Sequence, residues 1–372
     1  MTENNALRTG VSWAPAFGEK HRAPAAAFLP TTGVPEFLPD SAWDVGDRVL
    51  CLYDALQHVA RTLPITQVAD FAPADRNDLL RFHDETFVRA QLGAPGSEPG
   101  PLGAAGLLAV GAIRELTRRV WSRQLSNAYA LVRPAGHHAE PGSPGGGCLF
   151  ANGVLAAIEA KRLGARRVLF VDWDAHHGNS QQGAFWSDPS VLTVSVHQGR
   201  KFPALTGDVD ARGEGAGFGA NINVPVPPGS GGGVYREVFE RIVEPAAALF
   251  RPDFVIVASG LDASYIDPSA RLSLHSGDYE WMTSRMVATA DRYAAGRLLM
   301  THEGGYALGY LSLCFVRILE ALTGERTGID DPFLDRWGTD FAAAVSAEAE
   351  DVVARCAGFL RDVPHPAHQG VK

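Results

Sequence analysis

Val168-Leu169-Phe170-Val171-Asp172-Trp173-Asp174-Ala175-His176-His177-Gly178-Asn179 is the stretch that decides the fold. Its first four residues are apolar without alternation, as in a strand covered on both faces. The abrupt change to Asp, His, Gly and Asn marks the carboxyl end of that strand, where open α/β sheets bind their ligands. Four further runs repeat the pattern, at 129–132, 191–196, 254–258 and 298–301. The first leads into Arg133-Pro134-Ala135-Gly136-His137-His138 and the second reaches His197. The third stops at Ser259-Gly260-Leu261-Asp262, and the fourth at His302-Glu303-Gly304-Gly305-Tyr306. Helical periodicity lies between several of these runs, at 151–163 and at 235–250, the latter introduced by a glycine-rich turn at 228–233. Strands alternating with helices predict an α/β fold: a parallel sheet flanked by helices, with the chemistry on one rim.

Composition narrows the function. With 46% hydrophobic and 20% charged residues, the 372-residue chain has room for a sizeable core, in one large domain or two smaller ones. It contains no apolar run near the ~18 residues of a membrane span. Residues 1–13 lack a secretory pattern, so a cytoplasmic location is expected. Cys51, Cys148, Cys314 and Cys356 form no Cys-x-x-Cys pair, which fits a reducing compartment. A formal charge of -9 disfavours nucleic acid, whose phosphates need Lys and Arg, and suits cationic substrates.

Asp174 and His176 stand two apart on an extended segment, so both side chains can face one ion. Asp262, arriving from another strand end, completes two carboxylates and an imidazole. That set leaves a coordination position open, as catalytic zinc sites do, although such ligands also tolerate Fe(II), Co(II) or Mn(II). Adjacent His137 and His138 suit proton transfer to and from a water and a leaving amine. Such imidazoles need partners on their far nitrogens, and Asp172 and Asn179 are the candidates. Tyr306, after two glycines, is placed to donate to an oxyanion.

The segments Gly136-His137-His138-Ala139, Asp172 to Gly178, Gly260-Leu261-Asp262-Ala263 and Glu303-Gly304-Gly305-Tyr306 resemble, in order and spacing, those of histone deacetylases. The resemblance runs from about Arg81 to Gly324 and is nearest to bacterial class II deacetylase-like amidohydrolases. It implies an arginase/deacetylase-like fold of about eight mostly parallel strands, with residues 1–372 forming one catalytic domain. It implies one Zn²⁺ per chain on Asp174, His176 and Asp262, His137 and His138 as the acid/base pair, and Tyr306 as electrophile. It further implies a potassium ion on carbonyls of Asp172, Asp174, His176 and Val196 with the Ser195 hydroxyl. The implied reaction is hydrolysis of an acylated lysine or a small acylated amine, by a homo-oligomer, dimer or tetramer. Loops near Gly18-Glu19-Lys20-His21 are candidates for its contacts. Asn179 stands where class I relatives carry aspartate.

Arginase-like ureohydrolases, with two manganese ions, are the rival enzyme class. Their Asp-Ala-His-x-Asp and Asp-x-Asp motifs need carboxylates where this chain has Gly178 and Ser264. The same residues would also suit an acetylpolyamine amidohydrolase or a catalytically silent metal-binding sensor. The substrate channel is placed on Gly147, Phe202, Ser269 and Gly304. Family members have two channel phenylalanines; Gly147 replaces one, predicting a wider tunnel open to bulkier acyl groups. Ser269 stands where polyamine-preferring members carry a gating glutamate, and Glu98 is the one acid available to grip a substrate backbone. Gly215 to Ala220 fits a nucleotide-binding pattern by letter, but no strand precedes it and no helix follows. Cys148 is read as packing.

Overall fold

The computed structural model describes residues 7–19, 44–337 and 343–365. Eight strands form one sheet in the order β2-β1-β3-β8-β7-β4-β5-β6, every neighbouring pair parallel. They are β1 (Thr9–Ser12), β2 (Ile65–Val68), β3 (Ala128–Ala130), β4 (Val168–Asp172), β5 (Val191–Gln198), β6 (Asn221–Val226), β7 (Phe254–Ser259) and β8 (Leu298–His302). The five strands legible in the sequence, β3, β8, β7, β4 and β5, are contiguous in the sheet. All their residues are buried, and a fully buried Val, Leu or Ile is worth roughly 1.5–3 kcal/mol over an exposed one. Burial on both faces is why these runs carry no alternation.

Helices Pro101–Trp121 and Asn152–Leu163 pack against each other, as do Ser276–Tyr293 and Leu308–Thr323. Gly164 and Gly324, at φ 118° and 74°, end Asn152–Leu163 and Leu308–Thr323 in the left-handed conformation that glycine adopts without strain. The helix expected over 235–250 is interrupted. Gly232–Val238 passes through a π-turn at Phe239–Val243 into Glu244–Phe250. Pro245 at the start of the last segment has no N–H to continue the ladder, and the wider turn absorbs the missing bond.

Three strands escape a reading by periodicity. β1 and β2 have four residues each, too short to show a period. β6 carries Asn221, Asn223 and Pro225, and a proline is tolerated because this is the sheet edge. Both asparagines are committed: their Nδ2 groups donate to Gln182 Oε1 at 3.1 and 2.7 Å. Helix Ala347–Ala357 covers this edge, with Cys356 Sγ donating to the Asn223 carbonyl at 3.2 Å. The Gly215–Gly217 turn leads into β6, not into a helix. Lys20 and His21, the candidates for assembly contacts, lie outside the described residues. Among the described residues no helix is long and apolar enough to cross a membrane.

Candidate metal centre and active site

The contiguity of β3, β8, β7, β4 and β5 brings five carboxyl ends to one rim. Asp174 and His176 leave the end of β4 and Asp262 leaves β7. One ligand atom from each lies within 4.8 Å of the others, and all three side chains are buried. His176 Nδ1 sits 3.1 Å from Asp174 Oδ1 and 2.9 Å from Asp262 Oδ2. Backbone amides fill the outward faces of the carboxylates: His176 N donates to Asp174 Oδ1 at 2.9 Å, Gly304 N to Asp174 Oδ2 at 2.8 Å, and Ala175 N to Asp262 Oδ1 at 2.8 Å. A Cβ on Gly260 would collide with the Asp174 carboxylate, and one on Gly304 with both carboxylates, so glycine is required beside the cluster. Burial and the neighbouring Asp174 charge push the Asp262 carboxyl up to about 7. Two buried carboxylates and one imidazole converging this closely fit a divalent cation, whose charge would offset the repulsion.

His137 and His138 face this cluster from the loop after β3, with ring centroids 3.8 Å apart. His137 Nδ1 is 3.0 Å from Asp172 Oδ2, and His138 Nδ1 is 2.9 Å from Asn179 Oδ1. Burial alone would lower the pKa of His137, but the Asp174 and Asp172 carboxylates outweigh it and raise it to about 10. His138, buried and beside that charge, is held well below the usual histidine range. Gln181 Nε2 adds a 2.5 Å bond to Asp172 Oδ2.

Tyr306 completes the rim from the end of β8. Desolvation pushes its hydroxyl pKa well above the usual value, keeping it protonated. Several groups that hold it were not legible in the sequence. Asp267 Oδ2 accepts from Tyr306 N at 2.6 Å and from Ala307 N at 3.1 Å. The buried Arg48 guanidinium donates to the carbonyls of Gly305 and Glu303 at 2.5 and 2.6 Å and lies 4.5 Å over the Tyr306 ring. Arg48 comes from helix Asp47–Val59, more than 250 positions away, so no local signal marks it. Glu303 Oε2 accepts from Gly136 N and His137 N at 2.8 and 3.1 Å, tying the strand end of Tyr306 to the histidine loop.

His137, Cys148 and Glu303 form a second group of potential ligands, but their atoms are already engaged. Glu303 accepts the two amides and the Thr301 hydroxyl, and His137 is bonded to Asp172. Burial keeps Cys148 a thiol, its sulfur accepting from His138 N at 3.4 Å. Of the expected channel residues, Phe202 stands edge-on to His138, centroids 4.9 Å apart. Gly147 has φ 85°, and among the described residues a Cβ there would touch only Asp44 Cβ, at 3.6 Å. Gly304 lies under the two carboxylates. Ser269 is buried, and its hydroxyl donates at 2.7 Å to Asp267 Oδ1, of the carboxylate that accepts from Tyr306 N. Glu98 is exposed on its loop. Ser195 Oγ is 2.9 Å from His197 Nδ1.

The model of the histone deacetylase domain matches residues 44–322, which spans all these strand ends. The chain belongs to the histone deacetylase family. Within that family it is 40% identical over 282 residues to a histone deacetylase-like amidohydrolase of Pseudomonas aeruginosa, covering 72% of this chain and 74% of that protein. It is 35% identical over 283 residues to the chloroplastic histone deacetylase 14 of Arabidopsis thaliana, covering 70% and 67%. In solved structures the HD domain of HDA15 superposes with a TM-score of 0.79 at 26% identity, over 96% of this chain and 95% of that one. The parallel eight-stranded α/β architecture is thus that of histone deacetylases.

Proposed function

We propose that this histone deacetylase family member hydrolyses the amide of an acylated lysine or a small acylated amine, using one zinc ion held by Asp174, His176 and Asp262. The supporting observation is the convergence of those three side chains beneath two imidazoles with unlike partners. Bound there, zinc supplies Lewis acidity that lowers the pKa of a water and polarises the amide carbonyl. His138 is kept neutral by burial, with its Nδ1 occupied by Asn179, and takes the proton of the attacking water at Nε2. His137, oriented by Asp172, remains an imidazolium and gives a proton to the leaving nitrogen. The Tyr306 hydroxyl donates to the developing oxyanion. Phe202, edge-on to His138, would form one wall of the acyl channel, and Gly147, standing where relatives carry the second phenylalanine, would widen the other. The same reading includes a structural potassium ion, which would be held by residues Asp172, Asp174, His176, Ser195 and Val196.

A panel of acyl-lysine peptides and acylpolyamines assayed with the zinc-loaded protein tests this. Turnover is expected, with kcat lowered about 10²–10³-fold in Tyr306→Phe. A protein that binds zinc stoichiometrically and cleaves none of them overturns the reading. Gly147→Phe, strained by the positive φ, should narrow the preference toward acetyl. An unchanged ranking of acyl lengths would remove Gly147 from the channel.

A further inference from the structure

A carboxylate stands behind the amide that supports His138. Asn179 Oδ1 lies 2.9 Å from His138 Nδ1, while its Nδ2 donates to Glu140 Oε1 at 3.1 Å and to the His138 carbonyl at 3.3 Å. A side-chain amide can exchange its oxygen and nitrogen by half a turn. In the exchanged state the Asn179 oxygen would face two acceptors, a carboxylate and a carbonyl. The observed state therefore rests on that pair, of which only Glu140 is charged. With Oδ1 toward the ring, His138 Nδ1 carries the hydrogen and Nε2 keeps its lone pair.

The backbone of Glu140 is held in turn. Glu140 N donates to the Ser143 carbonyl at 2.9 Å, and the Glu140 carbonyl accepts from His83 Nδ1 at 3.0 Å. Ala151 N donates to His83 Nε2 at 3.0 Å, which leaves the hydrogen of that ring on Nδ1. Burial lowers the His83 pKa to about 4, so the ring is neutral, as both bonds require. The Glu140 side chain itself is exposed, and replacing it opens no cavity in the core.

We propose that Glu140 is a positioning residue for proton transfer: through Asn179 it fixes the amide orientation that leaves His138 Nε2 ready to accept a proton. This rests on the deacylase reading above. Glu140→Ala should lower kcat about 10-fold, at the low end for residues that orient a reacting group through another, with KM unchanged. Glu140→Gln, whose amide oxygen can still accept from Asn179, should recover most of the loss. In an Asn179→Asp background the supporting group has two equivalent oxygens and no orientation to fix, so the Glu140→Ala effect should vanish. Spectra of the protein with ¹⁵N-labelled histidine rings should show His138 protonated on Nδ1 in the wild type and as mixed tautomers in Glu140→Ala. Wild-type kcat and an unchanged tautomer in Glu140→Ala overturn the proposal, as does a loss that persists undiminished in the Asn179→Asp background. A wild type without turnover overturns the deacylase reading instead, and the tautomer measurement still decides the role of Glu140.

Discussion

His137 and His138 are neighbours in one loop, yet they rest on supports of different kinds. Under His137 lies a buried carboxylate, Asp172, which also accepts from Gln181 and from Asp174 N. Under His138 lies a neutral amide, Asn179, whose far side reaches an exposed carboxylate. Burial and the charge on His137 lower His138, whereas at His137 the Asp174 and Asp172 carboxylates outweigh burial, so two chemically identical rings are pushed toward opposite protonation states. The Asp174 carboxylate contributes to that separation, and a cation bound there would neutralise it. The difference between Asp172 and Asn179 would remain. In the proposed reaction, adjacent residues of one type would serve as acid and base because their surroundings differ.

Removing the charge under His137 should break this asymmetry most. Asp172→Asn takes away one of the two carboxylates that together outweigh burial, so His137 should hold its proton less tightly, and kcat should fall about 10–100-fold. Steady-state kinetics with an acyl-lysine peptide checks it, and wild-type kcat in this variant would make the two supports equivalent. A smaller effect comes from making the supports alike. In Asn179→Asp a negative charge favours the protonated His138 ring, so a higher pH is needed to free Nε2. The acid limb of the kcat/KM profile should move up by about 1 pH unit. A limb that stays in place would mean that His138 is not the group that must be neutral.

A third effect is on stability, not on turnover, and concerns the loop beneath the second support. His83 has its pKa lowered to about 4 in the folded protein, against 6.5 when unfolded, because burial disfavours its charged form. Its contribution is therefore unaffected by pH above 6.5, and stability falls as pH drops from 6.5 toward 4, by on the order of 3 kcal/mol. His83→Gln should shrink the loss of urea-unfolding stability across that window. An equal loss in the variant would assign the acid sensitivity to other buried groups.

Much of the site was legible because its residues cluster at strand ends. Asp174 with His176, the histidine pair and Tyr306 each follow a buried apolar run, and such runs can be read locally. The bond that Ser269 makes was not legible: its place after Asp267-Pro268 suggests a channel residue, and the fold adds a bond from its hydroxyl to Asp267, which accepts from Tyr306 N. Arg48 and Glu140 are hidden in the sequence for a related reason, as are the partners of Glu303, although Glu303 itself lies in the segment that ends at Tyr306. A lone charged residue carries no pattern, and its meaning lies in a partner brought up from elsewhere in the chain. β6 was hidden by its composition, since asparagine and proline suit an edge strand as well as a loop.

By itself the sequence determined that buried parallel strands would end in carboxylates, imidazoles and glycines, because continuous apolarity and abrupt polar stops are properties of neighbouring residues. The tertiary structure alone decided that β3, β8, β7, β4 and β5 lie side by side, and hence that Asp262 meets His176 and that Asp172 and Asn179 divide the two histidines between them. Strand order and side-chain orientation are set by the packing of the whole sheet and its helices, which no local stretch encodes.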